Sequence, residues 1–341
     1  MKLLETLSIA TVRASKRLEI YHGDLTDLRS SVDLLIISAG PEDYIPTPGS
    51  LMGALHRRGI VVAQLAMSKQ LDLTGTFSCW MSGDISTWNV GFRRILCFEP
   101  RQYRGIPELV RRFFQAVIAV LAEGTEFKTA AMPVVFSGGA GLPMPAVLEA
   151  LIDGAVHWMA LGLPLECLKI VIYNEKRAAD AAKILSARKD RYKTSPFRPR
   201  AESTHDLFIS YARENWNAVH AFVEDLKRED GNIRVYIDND DLNIGGIWQH
   251  ELFMALDSCR KMVAFLSPQY LASPFCIEEF NIALLRGRSE DEGIVYPIYL
   301  HSAALPYYFL ARQLNDCREG DAVKLKDACR RILSTLARRT S

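Results

Sequence analysis

Three stretches decide how the C-terminal part of this chain folds: His205-Asp-Leu-Phe-Ile-Ser-Tyr211, Val235-Tyr-Ile-Asp-Asn-Asp-Asp-Leu-Asn-Ile-Gly-Gly-Ile-Trp248 and Ser273-Pro-Phe-Cys-Ile-Glu-Glu-Phe280. The first is an apolar run too short for a helix, which reads as a buried strand. The second is a short strand followed by an acidic, glycine-containing loop. The third opens on Ser-Pro, which starts a helix well. The same rhythm continues around them. Strands are predicted over 206–210, 234–237, 261–267 and 294–299, and helices over 215–228, 247–258, 274–286 and 321–338. Strands that alternate with helices form a parallel sheet, and such a sheet binds ligands at the carboxyl ends of its strands. The loops after residues 210, 238 and 267 are therefore where a site is expected.

Upstream the alternation recurs. Strands are predicted over 18–21, 33–38, 94–98, 130–136 and 169–173, with helices over 51–70, 107–122 and 145–161. Between the two halves, apolar periodicity stops. Residues 188–200 carry six Arg or Lys against one Asp, together with Pro196 and Pro199. This reads as a semi-stiff basic connector. The predicted organisation is thus two three-layer α/β domains, 1–186 and 203–341, joined by a linker at 187–202.

Composition narrows the function classes. The chain has 341 residues, 49% of them hydrophobic and 24% charged, with a net charge of +1. No global field draws it to nucleic acid or an anionic membrane, and neither is expected as a partner. Glu5 interrupts the first apolar run too early for a secretory signal. The uncharged stretch 129–148 is long enough to span a bilayer, but Pro133, Pro143 and Pro145 make it a buried strand, loop and helix start. Seven scattered cysteines without a Cys-x-x-Cys fit reduced thiols and a cytoplasmic protein. No His/Cys set has zinc-ligand spacing, and Asp238, Asp240 and Asp241 lack the spacing of a calcium loop, so no metal is expected.

The C-terminal motifs resemble those of a Toll/interleukin-1 receptor (TIR) domain over about 203–341. Asp206-Leu-Phe-Ile-Ser-Tyr211 is similar to the family's first strand. The loop from Asp238 to Gly246 is similar to its acidic BB loop. Leu266-Ser-Pro-Gln-Tyr-Leu-Ala-Ser-Pro-Phe-Cys-Ile-Glu-Glu-Phe280 is similar to its third strand and helix, with Phe275 where tryptophan is usual. The resemblance implies a flavodoxin-like parallel sheet. It also implies that Glu279 is the carboxylate of the NAD-cleaving members. Glu278, about 100° away around the helix, is expected to be solvated. Trp248 would stack on the nicotinamide ring, and Phe208, Tyr211, Arg213 and Phe275 would line the substrate site. Breaking the nicotinamide–ribose bond builds positive charge on the sugar, and a fixed carboxylate stabilises that charge.

The N-terminal half resembles a macro domain, the ADP-ribose-binding fold. Gly23-Asp-Leu-Thr26, Val32-Asp-Leu-Leu-Ile-Ile-Ser-Ala39, Pro48-Gly-Ser-Leu-Met-Gly-Ala-Leu55 and Pro133-Val-Val-Phe-Ser-Gly-Gly-Ala-Gly-Leu-Pro143 stand in the family's order. The resemblance implies that an ADP-ribose-like nucleotide is held by Asp24, Leu25, Ser38, Gly49, Ser50, Leu51, Ser137, Gly138, Gly139, Ala140 and Gly141. Asp24 would accept from adenine, and the two glycine turns, each opening a helix, would cradle the diphosphate. Ser38-Ala-Gly40 replaces the family's Asn-Ala-Ala-Asn, and Met52 stands where some hydrolytic members carry an acid. Binding is therefore expected rather than removal of ADP-ribose. His22 and His157 are expected to be packing residues.

The whole chain is expected to be an NAD glycohydrolase without a further cofactor. It would be regulated by a nucleotide-sensing domain, act as a homo-oligomer through its TIR domains, and serve in antiphage defence. The competing expectations are a non-catalytic TIR scaffold and a macro-domain ADP-ribosyl hydrolase.

Overall fold

The continuous apolar runs of the sequence become the central strands of two sheets, one in each of two units, Met1–Phe197 and Arg198–Ser341. The structure is a computed structural model. It describes residues 1–11, 15–28, 31–88, 90–123, 127–138, 141–193, 204–237, 255–256, 258–289, 293–310 and 312–337.

The N-terminal unit runs β1 (Lys2–Ala10), β2 (Ser15–His22), β3 (Val32–Ser38), α1 (Leu51–Arg57), α2 (Val62–Met67), β4 (Lys69–Leu73), α3 (Thr74–Phe77), β5 (Cys79–Ser82), β6 (Phe92–Phe98), α4 (Ile106–Glu123), β7 (Thr129–Met132), α5 (Met144–Ala160), β8 (Cys167–Ile172) and α6 (Glu175–Lys193). Its eight strands lie in the order β1-β2-β8-β7-β3-β6-β5-β4. The middle five are parallel. The strands β1, β4 and β5 are antiparallel to their neighbours at the margins. Parallel strands covered on both faces read as unbroken apolar runs, and every residue of β8 is buried.

Three expectations change. The helix predicted over 51–70 is two short helices and the start of β4. Gly59, at φ +81°, follows the end of α1 in the left-handed conformation that stops a helix. The strand predicted over 130–136 ends at Met132, because Pro133 has no N–H to continue the ladder. The helix α6 continues to Lys193, through seven residues that the sequence reads as connector.

The C-terminal unit runs β9 (His205–Ser210), α7 (Trp216–Glu229), β10 (Val235–Ile237), β11 (Cys259–Leu266), α8 (Pro268–Ala272), α9 (Pro274–Ser289), β12 (Val295–Tyr299), β13 (Asn315–Asp316) and α10 (Ala322–Ala337). All strand pairs are parallel, in the order β10-β9-β11-β12-β13. This is the doubly wound order in which the chain reverses direction beside its first strand, and ligands bind at that switch point. Leu207 and Ile209 of β9 join Val219, Phe222 and Ile332 in the core under α7 and α10. By the two-residue period of a strand, Phe208 and Ser210 face the other way. Most of the helix predicted over 247–258 lies outside the described residues. Among the described residues, no helix is long and apolar enough to cross a membrane.

Candidate functional site

The carboxyl end of β9 is tied to the helix that follows β11. Ser273 starts that helix: its hydroxyl accepts from the Cys276 amide at 3.3 Å, and its carbonyl accepts from the Ile277 amide at 3.2 Å. From 276 to 287 every residue of α9 is buried. Inside this helix, Glu279 is 6% exposed and its Oε2 accepts from the Ser210 hydroxyl at 2.5 Å. The Ser210 oxygen also meets the Tyr270 hydroxyl at 2.8 Å. The Cys276 thiol donates to the Tyr211 carbonyl at 3.4 Å. Burial, with the nearby Glu279 charge second, pushes that thiol up to about 12. Burial likewise pushes the Tyr270 hydroxyl well above its ordinary value. On the neighbouring strand end, Ser267 donates to Asn215 Oδ1 at 2.7 Å and accepts from the Tyr270 amide at 3.1 Å, which starts α8. The result is a carboxylate bonded to the Ser210 hydroxyl, which in turn meets the Tyr270 hydroxyl, at the sheet's switch point.

The other expected residues spread outward from it. Tyr211 is half-buried and packs obliquely on Trp216, with ring centres 5.7 Å apart. Arg213 is exposed at the head of a short turn, Arg213–Asn215. Phe275 is 52% exposed in the first turn of α9. Phe208 departs from expectation: it has no exposed surface and stacks on Tyr236 at 5.2 Å, so it packs the sheet and does not face a substrate. Glu278 departs too. It is only 9% exposed, because α9 is sunk on all sides and leaves no solvated face for it. Trp248 and the rest of the acidic loop lie outside the described residues. Ser210 and Tyr270 were not picked from the sequence. The signal was present for Ser210, which sits one residue beyond Ile209 and so must face α9.

In the N-terminal unit, β2 and β8 end side by side, with the Gly23 amide donating to the Ile172 carbonyl at 3.1 Å. Beyond them opens a cavity of about 410 Å³ lined by His22, Gly23, Asp24, Tyr173, Asn174 and Glu175. Asp24 Oδ1 accepts from both the amide and the hydroxyl of Thr26 at 2.8 Å, which fixes the carboxylate. Tyr173 is 80% exposed. Asn174 Oδ1 accepts from the Arg177 amide at 3.0 Å and so caps α6 at the cavity's edge. Tyr173, Asn174 and Glu175 were missed; an aromatic directly after the apolar run Ile170–Ile172 was the available clue.

The glycine turns are further from expectation. Leu25 is buried and Leu51 packs on the same core. Ser38 is half-buried at the end of β3. Gly49 adopts φ +81° and leads into Ser50, whose hydroxyl accepts from the Gly53 amide at 3.0 Å and donates to the Thr47 carbonyl at 2.7 Å. In the second turn the Ser137 hydroxyl donates to Val134 at 2.7 Å, and the Gly141 amide bonds Gly138 at 2.9 Å. Some donors expected to meet phosphate are therefore spent within the turns. Among the described residues, the cavity's lining includes neither turn. Gly139 and Ala140 lie outside the described residues.

One buried carboxylate steadies the first turn's approach. Glu99 accepts from Trp80 Nε1 at 2.5 Å and from the Tyr44 hydroxyl, and so pins the loop that carries Tyr44 towards Gly49. Burial and Glu99 hold the Tyr44 hydroxyl above its ordinary value.

Residues 207–333 match the family model described as TIR domain. The C-terminal unit is a TIR domain. Among solved structures, the chain is similar to the TIR domain of the Toll-related receptor TRR-2 of Hydra magnipapillata, at 18% identity, 39% of this chain, 99% of that chain and a TM-score of 0.32. It is similar to an Oceanobacillus iheyensis macrodomain with ADP, at 14% identity, 55% of this chain, 98% of that one and a TM-score of 0.42. It is also similar to a Trypanosoma brucei macrodomain in complex with ADP-ribose, at 16% identity, 50% and 68% coverage and a TM-score of 0.40. In the TIR domain the first and third motif stretches of the sequence thus meet through Ser210 with Glu279 and Tyr211 with Cys276.

Proposed function

We propose that the TIR domain cleaves the nicotinamide–ribose bond of NAD, with Glu279 stabilising the positive charge that develops on the sugar. The observation that carries this reading is the buried Glu279 carboxylate, bonded to Ser210 at the carboxyl ends of parallel strands. A fixed carboxylate in a poorly solvated site contributes more than one in water, typically about 10²–10³ in rate. The nicotinamide leaves as a neutral base from a cationic ring, so no strong acid is needed. Products are nicotinamide and ADP-ribose, in linear, cyclised or conjugated form.

The N-terminal cavity is read as the seat of a regulatory ADP-ribose-like nucleotide. Support comes from Asp24, preorganised by Thr26 to accept from a base, and from the exposed Tyr173 ring beside it, placed to stack on one. On this reading the nucleotide favours assembly of several chains through the TIR loop around Trp248. Depletion of NAD in an infected bacterial cell is the corresponding biology, supported by sequence resemblance alone.

Incubation of the purified full chain with NAD, with and without ADP-ribose, followed by mass analysis of products, tests this. Nicotinamide release by the native chain and its loss in Glu279→Ala is the expected result. NAD loss that persists in Glu279→Ala excludes the assignment, and a native chain that consumes no NAD in any condition points to the scaffold.

A further inference from the structure

Glu279 is not held by chance packing; its partners form a directed chain. A serine hydroxyl has one hydrogen. The Ser210 hydroxyl donates to Glu279 Oε2 at 2.5 Å, and a carboxylate oxygen that carries no proton can only accept. The serine hydrogen is therefore directed at Oε2. The Ser210 oxygen then has only lone pairs to offer Tyr270, 2.8 Å away, so the tyrosine must donate. Tyr270 keeps its proton, because burial and the neighbouring negative charge oppose its ionisation. The order is Tyr270 to Ser210 to Glu279, and each bond polarises the next.

The chain is also anchored independently at each member. Ser210 belongs to β9, Tyr270 to α8 and Glu279 to α9, and all three are buried. The α8 helix is itself fixed to the opposite strand end, through the Ser267 cap and the Ser267–Asn215 bond. The carboxylate's hydroxyl partner is thus itself held from a third element, which limits its freedom to turn.

We infer that Ser210 is a positioning residue for Glu279: its hydroxyl, supplied with a hydrogen bond by Tyr270, sets the carboxylate's orientation towards the reacting sugar. This rests on the reading that Glu279 acts on NAD. Loss of the serine donor removes a hydrogen bond that favours the charged carboxyl, so protonation moves to higher pH. It also loosens the carboxylate, a change felt in the transition state more than in substrate binding.

The test uses the full chain with NAD as the probe, reading nicotinamide release between about pH 4 and pH 8. The variants are Ser210→Ala, Ser210→Thr, Tyr270→Phe and Glu279→Gln. Ser210→Ala is expected to lower kcat by roughly 10- to 100-fold, to leave KM within about threefold, and to raise the acid limb of the pH profile by about one unit. Ser210→Thr, which keeps the hydroxyl, is expected to restore both within about fivefold. Tyr270→Phe is expected to shift the acid limb in the same direction by less. A Ser210→Ala chain with native kcat and a native acid limb overturns the inference. If Ser210→Ala does not fold, Tyr270→Phe decides, and an unmoved acid limb there overturns it. Activity retained in Glu279→Gln sinks the NAD reading itself, whereas activity lost in Glu279→Gln but intact in Ser210→Ala sinks only the role given to Ser210.

Discussion

Two acidic neighbours in one helix, Glu278 and Glu279, are similarly hidden from water, yet one of them ends at the sheet's switch point with a hydroxyl donor aimed at it. Burial therefore does not distinguish them, and placement does. The same contrast between hidden and placed groups applies in the N-terminal cavity. Tyr173 is almost wholly exposed, so its ring contributes little to folding, and any effect of removing it falls on binding. Tyr173→Ala is expected to weaken ADP-ribose binding by roughly tenfold, the worth of one stacking contact, without moving the melting temperature. Asp24→Ala is expected to weaken it at least as much, because a directed acceptor is lost. Calorimetric titration of the full chain with ADP-ribose checks both. Unchanged affinity in the two variants removes the nucleotide from this cavity.

Elements, unlike single residues, depend on close approach. A Cβ on Gly53 would stand 2.2 Å from the Thr47 carbonyl oxygen, which belongs to the backbone and cannot swing away. Gly53→Ala is thus expected to break the Thr47–Ser50–Gly53 turn and destabilise the N-terminal unit by about 1–3 kcal/mol. A thermal melt checks this, and an unchanged midpoint refutes it. Glu99→Leu acts on the same loop by removing the carboxylate that accepts from both the Trp80 N–H and the Tyr44 hydroxyl, leaving the Trp80 N–H only its longer bond to the Tyr44 oxygen at 3.1 Å. A loss of roughly 2–4 kcal/mol is expected, with the midpoint of urea unfolding as readout. These devices were only partly legible in the sequence. The central parallel strands were plain, since strands buried on both faces are continuous apolar runs, as at 33–38 and 206–210. The margins β1, β4 and β5 were not: Lys2–Ala10 and Lys69–Leu73 mix buried and exposed residues and so give no continuous apolar run, and Cys79–Ser82, though buried throughout, is too short to show a period. Glu279 and Asp24 were legible through their motifs. Ser210 was legible only as the residue one beyond Ile209 and so facing α9, whereas Tyr270 and Glu99 were not legible, because what marks them is a partner distant in the chain.

At the scale of the whole molecule, hidden titratable groups set how stability varies with pH, and the two units differ in what they hide. In the N-terminal unit, burial holds His157 down to about 4 from 6.5. Between these values the unfolded chain takes up a proton that the folded one refuses, so stability is lost as pH falls through that window. Burial, with Lys128 second, holds Lys16 down to about 8 from 10.5, and its nitrogen is directed at the Met159 and Leu163 carbonyls. The unfolded state binds more protons there too, so this group adds stability as pH rises from 8. Thiols oppose it. Burial pushes Cys167, Cys317 and Cys329 up to about 11 and Cys276 to about 12 from 9, and raises Cys79 and Cys97 as well. Above 9 the folded protein keeps protons that the unfolded chain releases, and stability falls. Each such thiol contributes a slope of about 1.4 kcal/mol per pH unit, so three of them in each unit outweigh the single lysine. Calorimetric melts across pH are therefore expected to show both units weakening above about pH 9. Between 6.5 and 4, only the N-terminal unit should carry the histidine's loss. His157→Leu identifies that unit, since its melt alone should flatten on the acid side while the other is unchanged. A variant whose two transitions keep the native acid dependence would mean that His157 is not held neutral by the fold.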